Sequence, residues 1–278
     1  MRMHREYLPV PATRCKDTVF NWGERTYLMG IVNVSPDSFS GDGLDNPAAA
    51  VSQAMHFIEL GADIIDIGGE STRPDSQPIS EEEETARVVP VIEELSRRTS
   101  IPISIDTYKE SVAHSAVKAG AAMINDVCGI PKLAEIAAAA KIPLIITSNQ
   151  REKSCRDIMP AIISDLEDKI RLAENSGVIP QNIIIDPGVG FGKTVEQNLE
   201  IIRRLCELKS LCKPILLGTS RKSFIGRVLD LSENQRMEGT AATVAIGIAN
   251  GADIVRVHDV EQMLRVCRMS DAIIRGKE

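Results

Sequence analysis

Carboxylates, an amide and a set of cations are spaced along this sequence in a way that suits a ligand with two chemically different ends. Asp106, Asn125 and Asp186 each close a short apolar run rich in β-branched residues. Together they offer acceptors and an amide for the donor-rich edge of a heterocycle such as a 2-amino-4-oxo ring. Arg73, Arg221, Lys222, Arg256 and His258 follow other such runs. With free backbone N–H groups where a helix starts at Ser223, they suit a phosphate or diphosphate. Each residue also has an ordinary explanation. An Asp after a strand commonly caps the next helix, Lys193 or Arg221 alone reads as a solvated charge, and His258 alone as a hydrogen-bonded or capping histidine. The joint occurrence favours a ligand, because caps require neither Asn nor Arg nor Lys at matching depth. His4, His56 and His114 lie in the terminus or in helical patterns and are assigned no function. Gly188-x-Gly190-Phe191-Gly192 lacks the spacing and the acidic follower of a dinucleotide fingerprint.

These residues need elements that bring them to one face. Apolar runs predict eight strands at 27–34, 63–68, 103–106, 122–126, 144–147, 183–186, 215–218 and 254–257. Amphipathic, alanine-rich stretches predict helices at 47–60, 81–98, 109–119, 133–140, 158–176, 195–208, 236–250 and 260–275. Nearly continuous apolar strands alternating with helices imply a parallel sheet buried on both faces. An internal echo supports this, because Gly61-Ala62-Asp63, Gly120-Ala121-Ala122 and Gly251-Ala252-Asp253 each place a glycine between a helix end and a strand. No linker or low-complexity segment divides the chain. The expected fold is a single-domain (β/α)8 barrel over residues 27–278, with residues 1–26 as an N-terminal extension, a hairpin covering the lower end of the barrel. An open doubly wound sheet is the alternative. In a barrel the strand-end residues meet at the C-terminal face, and phosphate commonly binds after the seventh and eighth strands.

Composition narrows the partners. Of the 278 residues 43% are hydrophobic and only 1 Trp, 3 Tyr and 5 Phe are aromatic, which points to an aliphatic core. The net charge of −7 is the opposite of the excess that a nucleic-acid binder needs, so small-molecule substrates are expected and nucleic acid is not. The cysteines Cys15, Cys128, Cys155, Cys206, Cys212 and Cys267 form neither a CxxC pair nor a zinc pattern and read as free thiols in a reducing compartment. Residues 1–11 lack the apolar run of a signal peptide, and no segment approaches the length of a membrane span. A soluble cytoplasmic protein is expected.

Read together and in order, Gly30-Ile31-Val32-Asn33-Val34-Ser35-Pro36-Asp37-Ser38-Phe39-Ser40, Asp66-Ile67-Gly68-Gly69-Glu70-Ser71-Thr72-Arg73-Pro74, Ser104-Ile105-Asp106-Thr107, Ile124-Asn125-Asp126-Val127, Asp186-Pro187-Gly188-x-Gly190-Phe191-Gly192-Lys193, Ser220-Arg221-Lys222-Ser223 and Arg256-Val257-His258 closely resemble the dihydropteroate synthases. The resemblance implies a pterin-binding (β/α)8 barrel that condenses 6-hydroxymethyl-7,8-dihydropterin diphosphate with 4-aminobenzoate, assisted by Mg2+, in a homodimer of a sulfonamide-target family. Carried over by motif, Asp106, Asn125, Asp186 and Lys222 hold the pterin. Asn33 binds the metal-diphosphate, while Thr72, Arg256 and His258 contact the diphosphate. Phe39, Arg73, Phe191, Lys222 and Ser223 shape the aminobenzoate pocket. The catalytic set is Asp106, Lys222, Arg256 and His258. The weighed alternatives are a pterin-dependent methyltransferase acting with a corrinoid protein, and a non-catalytic pterin-binding paralogue. Three departures stand out. Thr147-Ser148-Asn149 replaces the usual Met-His-Met, Asp42 is displaced by one position in the first loop, and Asp75 stands where glycine is common.

Overall fold

The computed structural model describes residues 10–34, 46–70, 77–149 and 157–276. Two short strands open it, β1 (Thr13–Cys15) and β2 (Thr18–Phe20). There follow β3 (Tyr27–Asn33), α1 (Pro47–Leu60), β4 (Ile64–Gly68), α2 (Glu81–Arg98), β5 (Ile103–Asp106), α3 (Glu110–Ala119), β6 (Met123–Asp126) and α4 (Pro131–Ala140). The second half comprises β7 (Leu144–Thr147), α5 (Ile158–Asn175), β8 (Ile183–Asp186), α6 (Val195–Arg204), β9 (Leu216–Leu217), α7 (Ser223–Leu229), α8 (Met237–Ala249), β10 (Ile254–Val257) and α9 (Val260–Arg275).

Strands β3 to β10 form one parallel sheet in the order β8-β7-β6-β5-β4-β3-β10-β9. A bridge between Ile185 and Ile215 joins its two ends, with Ile185 N–H donating to Pro214 O at 2.9 Å, so the sheet closes into a barrel. The eight predicted strands are all present, several of them a residue or two shorter than expected. Period-2 alternation divides the core. Leu28, Ile65, Ile105, Ile124, Ile146, Ile185 and Val255 face the helices, while Tyr27, Met29, Ile64, Met123, Ile145, Ile184, Leu216 and Ile254 fill the interior at its N-terminal end.

The expected hairpin is there. Strands β1 and β2 pair antiparallel, and Cys15 and Phe20 complete the same interior cluster from below. Thr13 Oγ1 donates to Gln181 O at 2.6 Å and Cys15 Sγ to Ala122 O at 3.0 Å. Phe20 stacks on Trp22, and both meet Tyr27 edge to face.

The helices depart from expectation in three places. α4 starts two residues early because Pro131 supplies a first helical position that needs no donor. α6 stops at Arg204, and Leu205–Leu211 tightens into a 3-10 helix whose three-residue period sets Leu205, Leu208 and Leu211 on the core side together. The short α7, with Gly226 inside it, was absent from the expected helices apart from its start. The glycine echo holds: Gly61, Gly120 and Gly251 all lie in the left-handed region, at φ 106, 115 and 102°, where the chain turns from helix to strand.

Candidate active site

The alternation that buries Ile64 and Ile145 also aims the strand ends inward. Register pairs Asn33 with Gly68, Gly68 with Asp106, and Asp106 with Asn125, while Thr147 pairs with Asp186. Arg256 follows Ile254 on the inner face of β10. A ring of polar side chains therefore caps an apolar interior at the C-terminal face.

Arg256 organises one half of this ring. Its Nε donates to Asp66 Oδ2 at 2.6 Å and its Nη2 to Asp106 Oδ2 at 2.6 Å. Asn125 Nδ2 donates to the same Asp66 oxygen at 3.2 Å. Asp66 is fully buried. Burial works against the Arg256 cation, but the charges of Asp66 and Asp106 outweigh it and leave the guanidinium firmly protonated. Burial pushes Asp106 up to about 7; Arg256 pulls it down, and Asp66 and Glu84 add to the rise. Asp66 Oδ1, Asp106 Oδ1, Ser104 Oγ and Thr147 Oγ1 are buried with no hydrogen-bond partner among the described residues. In a folded interior such atoms are few, and several on one wall mark a surface built for a polar ligand.

The other half is assembled by the loop after β8. Asp186 Oδ1 accepts from Gly188 N–H at 2.7 Å, and burial raises its carboxyl against the pull of Lys222. Lys222 Nζ donates to Val189 O and sits 5.0 Å from the centre of the Phe191 ring. Lys193 lies under this loop. Its Nζ donates to Ser148 O at 2.9 Å, Gly188 O at 2.8 Å and Phe191 O at 3.3 Å, tying the loops after β7 and β8 together. Burial lowers its ammonium to about 7. The ordinary explanation of Lys193 as a solvated charge does not hold: three backbone carbonyls replace water around it. Only glycine fits at 188, where φ is +69° and a Cβ would lie 2.0 Å from Ser148 O.

His258 meets Ser220 through both its backbone N–H and Nδ1, at 3.2 and 3.0 Å from Oγ. Arg221, expected on the anion side, is held bidentately by Asp259 at 3.0 and 2.6 Å, which neutralises it locally. Ser223 is exposed at the first position of α7. Asn33 and Asp106 flank Gly68, where a Cβ would stand 3.8 Å from Asn33 Oδ1 and 3.7 Å from Asp106 Cβ. Phe39, Thr72 and Arg73 lie outside the described residues, as do Asp42 and Asp75. Asp126 does not cap α4, whose N-cap is Ile130 with no side-chain bond; its carboxylate instead accepts from the N–H groups of Cys128, Gly129 and Ile130 and folds the turn that leads into the helix.

Two features escaped the sequence. The sequence marks Asp66 only as part of a motif, although an aspartate on the inward register of a buried strand demands a partner. Beyond the ends of β4 and β5, Lys109 Nζ bridges Glu70 at 2.5 Å and Glu84 at 2.7 Å, and Tyr108 OH donates to Glu70 at 2.7 Å. The glutamates sit in a loop and a surface-like helix, which gave no sign of a buried cluster.

A closed parallel barrel with a mouth lined by carboxylates, an amide and cations at successive strand ends defines a barrel enzyme that binds a polar heterocycle. The pterin binding enzyme family matches residues 29–258. A dihydropteroate synthase from Bacillus subtilis (strain 168) is 49% identical over 263 residues, covering 93% of this chain and 92% of its own. One from Clostridium beijerinckii is 50% identical over 261 residues, covering 92% and 97%. Among solved structures, the dihydropteroate synthase of Clostridium difficile in the presence of pteroic acid superposes with a TM-score of 0.87 at 49% identity, covering 92% of this chain and 99% of its own. That of Xanthomonas albilineans with 4-aminobenzoic acid gives 0.88 at 36% identity, covering 95% and 98%. The chain belongs to the dihydropteroate synthase family, transferases of folate biosynthesis.

Proposed function

We propose that this chain condenses 6-hydroxymethyl-7,8-dihydropterin diphosphate with 4-aminobenzoate to give 7,8-dihydropteroate and diphosphate. The observation that carries the reading is the Asp66–Arg256–Asp106 bridge, with unpartnered carboxylate oxygens beside a cationic half-site. Asp106, Asn125, Asp186 and Lys222 take the pterin, the carboxylates and the Asn125 carbonyl offering acceptors to its N–H groups. Breaking the bond to diphosphate leaves positive charge spread over the dihydropterin and negative charge on the leaving group. A preorganised carboxylate at Asp106 stabilises the first, while Arg256 and His258 stabilise the second. The attacking amine of 4-aminobenzoate is neutral, so Phe39, Arg73, Phe191, Lys222 and Ser223 have to position it rather than deprotonate it. Thr72 joins the diphosphate contacts.

The residues fit Mg2+. Among the described residues no group of three or more His, Cys, Asp or Glu could hold a metal by itself. The amide oxygen of Asn33, beside Asp106, is a hard donor suited to an ion that keeps its waters and takes the remaining ligands from a phosphate. When bound there, Mg2+ would neutralise the departing diphosphate.

A homodimer is part of the reading, supported by exposed Ile246 on α8 and Met269, Ile273 and Ile274 on α9. A cytoplasmic location is supported by the free thiols of Cys15, Cys206, Cys212 and Cys267. The test is diphosphate release from the pterin diphosphate with and without 4-aminobenzoate. Release coupled to dihydropteroate formation is expected; pterin binding with no product would refute the assignment.

A further inference from the structure

Thr147 closes β7, and its surroundings fix it firmly. The backbone that leaves it is pinned: Lys169 Nζ donates to Thr147 O at 2.6 Å, Ser148 N–H donates to Asp186 O at 2.9 Å, and Lys193 Nζ donates to Ser148 O at 2.9 Å. The side chain shares the inner face with Ile145, whereas Ile146 between them packs outward among the helices. Its register partner is Asp186. The residue is only 1% exposed, yet Oγ1 has no hydrogen-bond partner among the described residues. A buried hydroxyl left unmade is costly, and a valine of the same shape would avoid that cost. A strand end this rigid gives the hydroxyl no way to reach solvent.

The rest of the ring shows what such a group adds. Ionised Asp106 and Asp186 only accept, Asn125 has given one of its two amide N–H groups to Asp66, and Lys222 Nζ donates to Val189 O. A hydroxyl donates and accepts. We infer that Thr147 is a specificity-determining residue of the heterocycle pocket, donating its O–H to an acceptor atom of the bound ring, a ring nitrogen or carbonyl oxygen that the carboxylates beside it cannot serve. The inference rests on the pterin reading of the site and deepens it.

The experiment is calorimetric binding of pteroic acid to the full chain, wild type against Thr147→Val and Thr147→Ser, with thermal unfolding of all three. Loss of one hydrogen bond is expected to weaken binding by Thr147→Val about tenfold. Its Tm should equal or exceed that of the wild type. Thr147→Ser, which keeps the hydroxyl, should bind within about twofold of wild type. A residue that merely packs would give the reverse order, since serine loses the methyl and valine keeps it. Unchanged affinity in Thr147→Val, or serine failing as badly as valine, overturns the inference and leaves the pterin site intact. Failure of the wild type to bind pteroic acid removes the site and the inference with it.

Discussion

Replacing Asp66 by asparagine would keep the shape of the side chain that holds Arg256 from below and remove its charge. In the wild type one buried guanidinium serves two carboxylates, with Asp66 and Asp106 each 2.6 Å from a guanidinium nitrogen. The bond stays one to a charged group through Arg256, but the attraction between opposite charges is lost; set between the roughly 0.2–1 kcal/mol of an exposed pair and the about 3–5 kcal/mol for removing one partner of a buried pair, the exchange weakens the lower clamp by about 1–2 kcal/mol. If Arg256 must stand in one orientation to meet the developing anion, that loss appears as roughly a 5- to 30-fold fall in kcat/KM. A second effect has the opposite sign for Asp106. Asp66 is one of the charges that raise it, so Asp66→Asn lets Asp106 ionise more readily and moves the acid limb of the kcat/KM profile to lower pH. Asp66→Ala removes the acceptor altogether and should cost about 3 kcal/mol in urea unfolding, as expected when one partner of a buried ion pair is lost. Kinetics over a range of pH and urea titrations of both variants measure these effects. Wild-type kcat/KM together with an unmoved acid limb in Asp66→Asn would refute the reasoning that Asp66 sets Arg256.

Asp106 and Lys193 carry pH signatures of opposite direction. Asp106 is raised above the ordinary 3.8 to about 7, so the folded protein holds an extra proton between those values. Stability contributed at this site therefore falls as pH rises from about 4 to about 7, and pterin affinity rises across the upper part of that window as the acceptor ionises. Asp106→Asn should flatten both in urea unfolding and calorimetry, with turnover lower by at least tenfold. Lys193 is lowered from 10.5 to about 7, so the unfolded chain binds the extra proton and stability rises with pH across that window. Lys193→Met should abolish this rise and, by freeing three carbonyls, raise KM for the pterin substrate more than it lowers kcat; a variant with the wild-type slope of stability against pH would contradict the buried ammonium.

Much of the architecture was written in local patterns. Apolar runs such as Ile183-Ile184-Ile185 are too short for helices and too uniform for one-sided strands, and eight of them leave few alternatives to a barrel. The strand-end residues were legible because the fold converts sequence position into depth. What stayed hidden depended on partners far along the chain or on backbone. Asp66 is explained by Arg256, 190 residues away. Lys193 is buried by carbonyls that carry no sequence signature. α7 was missed because seven residues containing a glycine carry too little helical signal, and its place is set by packing Phe224 and Ile225 into the core.

The hairpin under the barrel gives the protein an optical label of its own. Trp22 is the sole tryptophan; it stacks on Phe20 at 5.3 Å and donates its indole N–H to Thr13 Oγ1 at 3.0 Å, at the end of the barrel opposite the polar mouth. Its emission therefore reads the seating of the hairpin and is blind to what enters the mouth. In a denaturant titration, tryptophan fluorescence and far-ultraviolet dichroism would report two regions of one molecule. Their coincidence or separation measures whether the first strands and the barrel melt as a single unit.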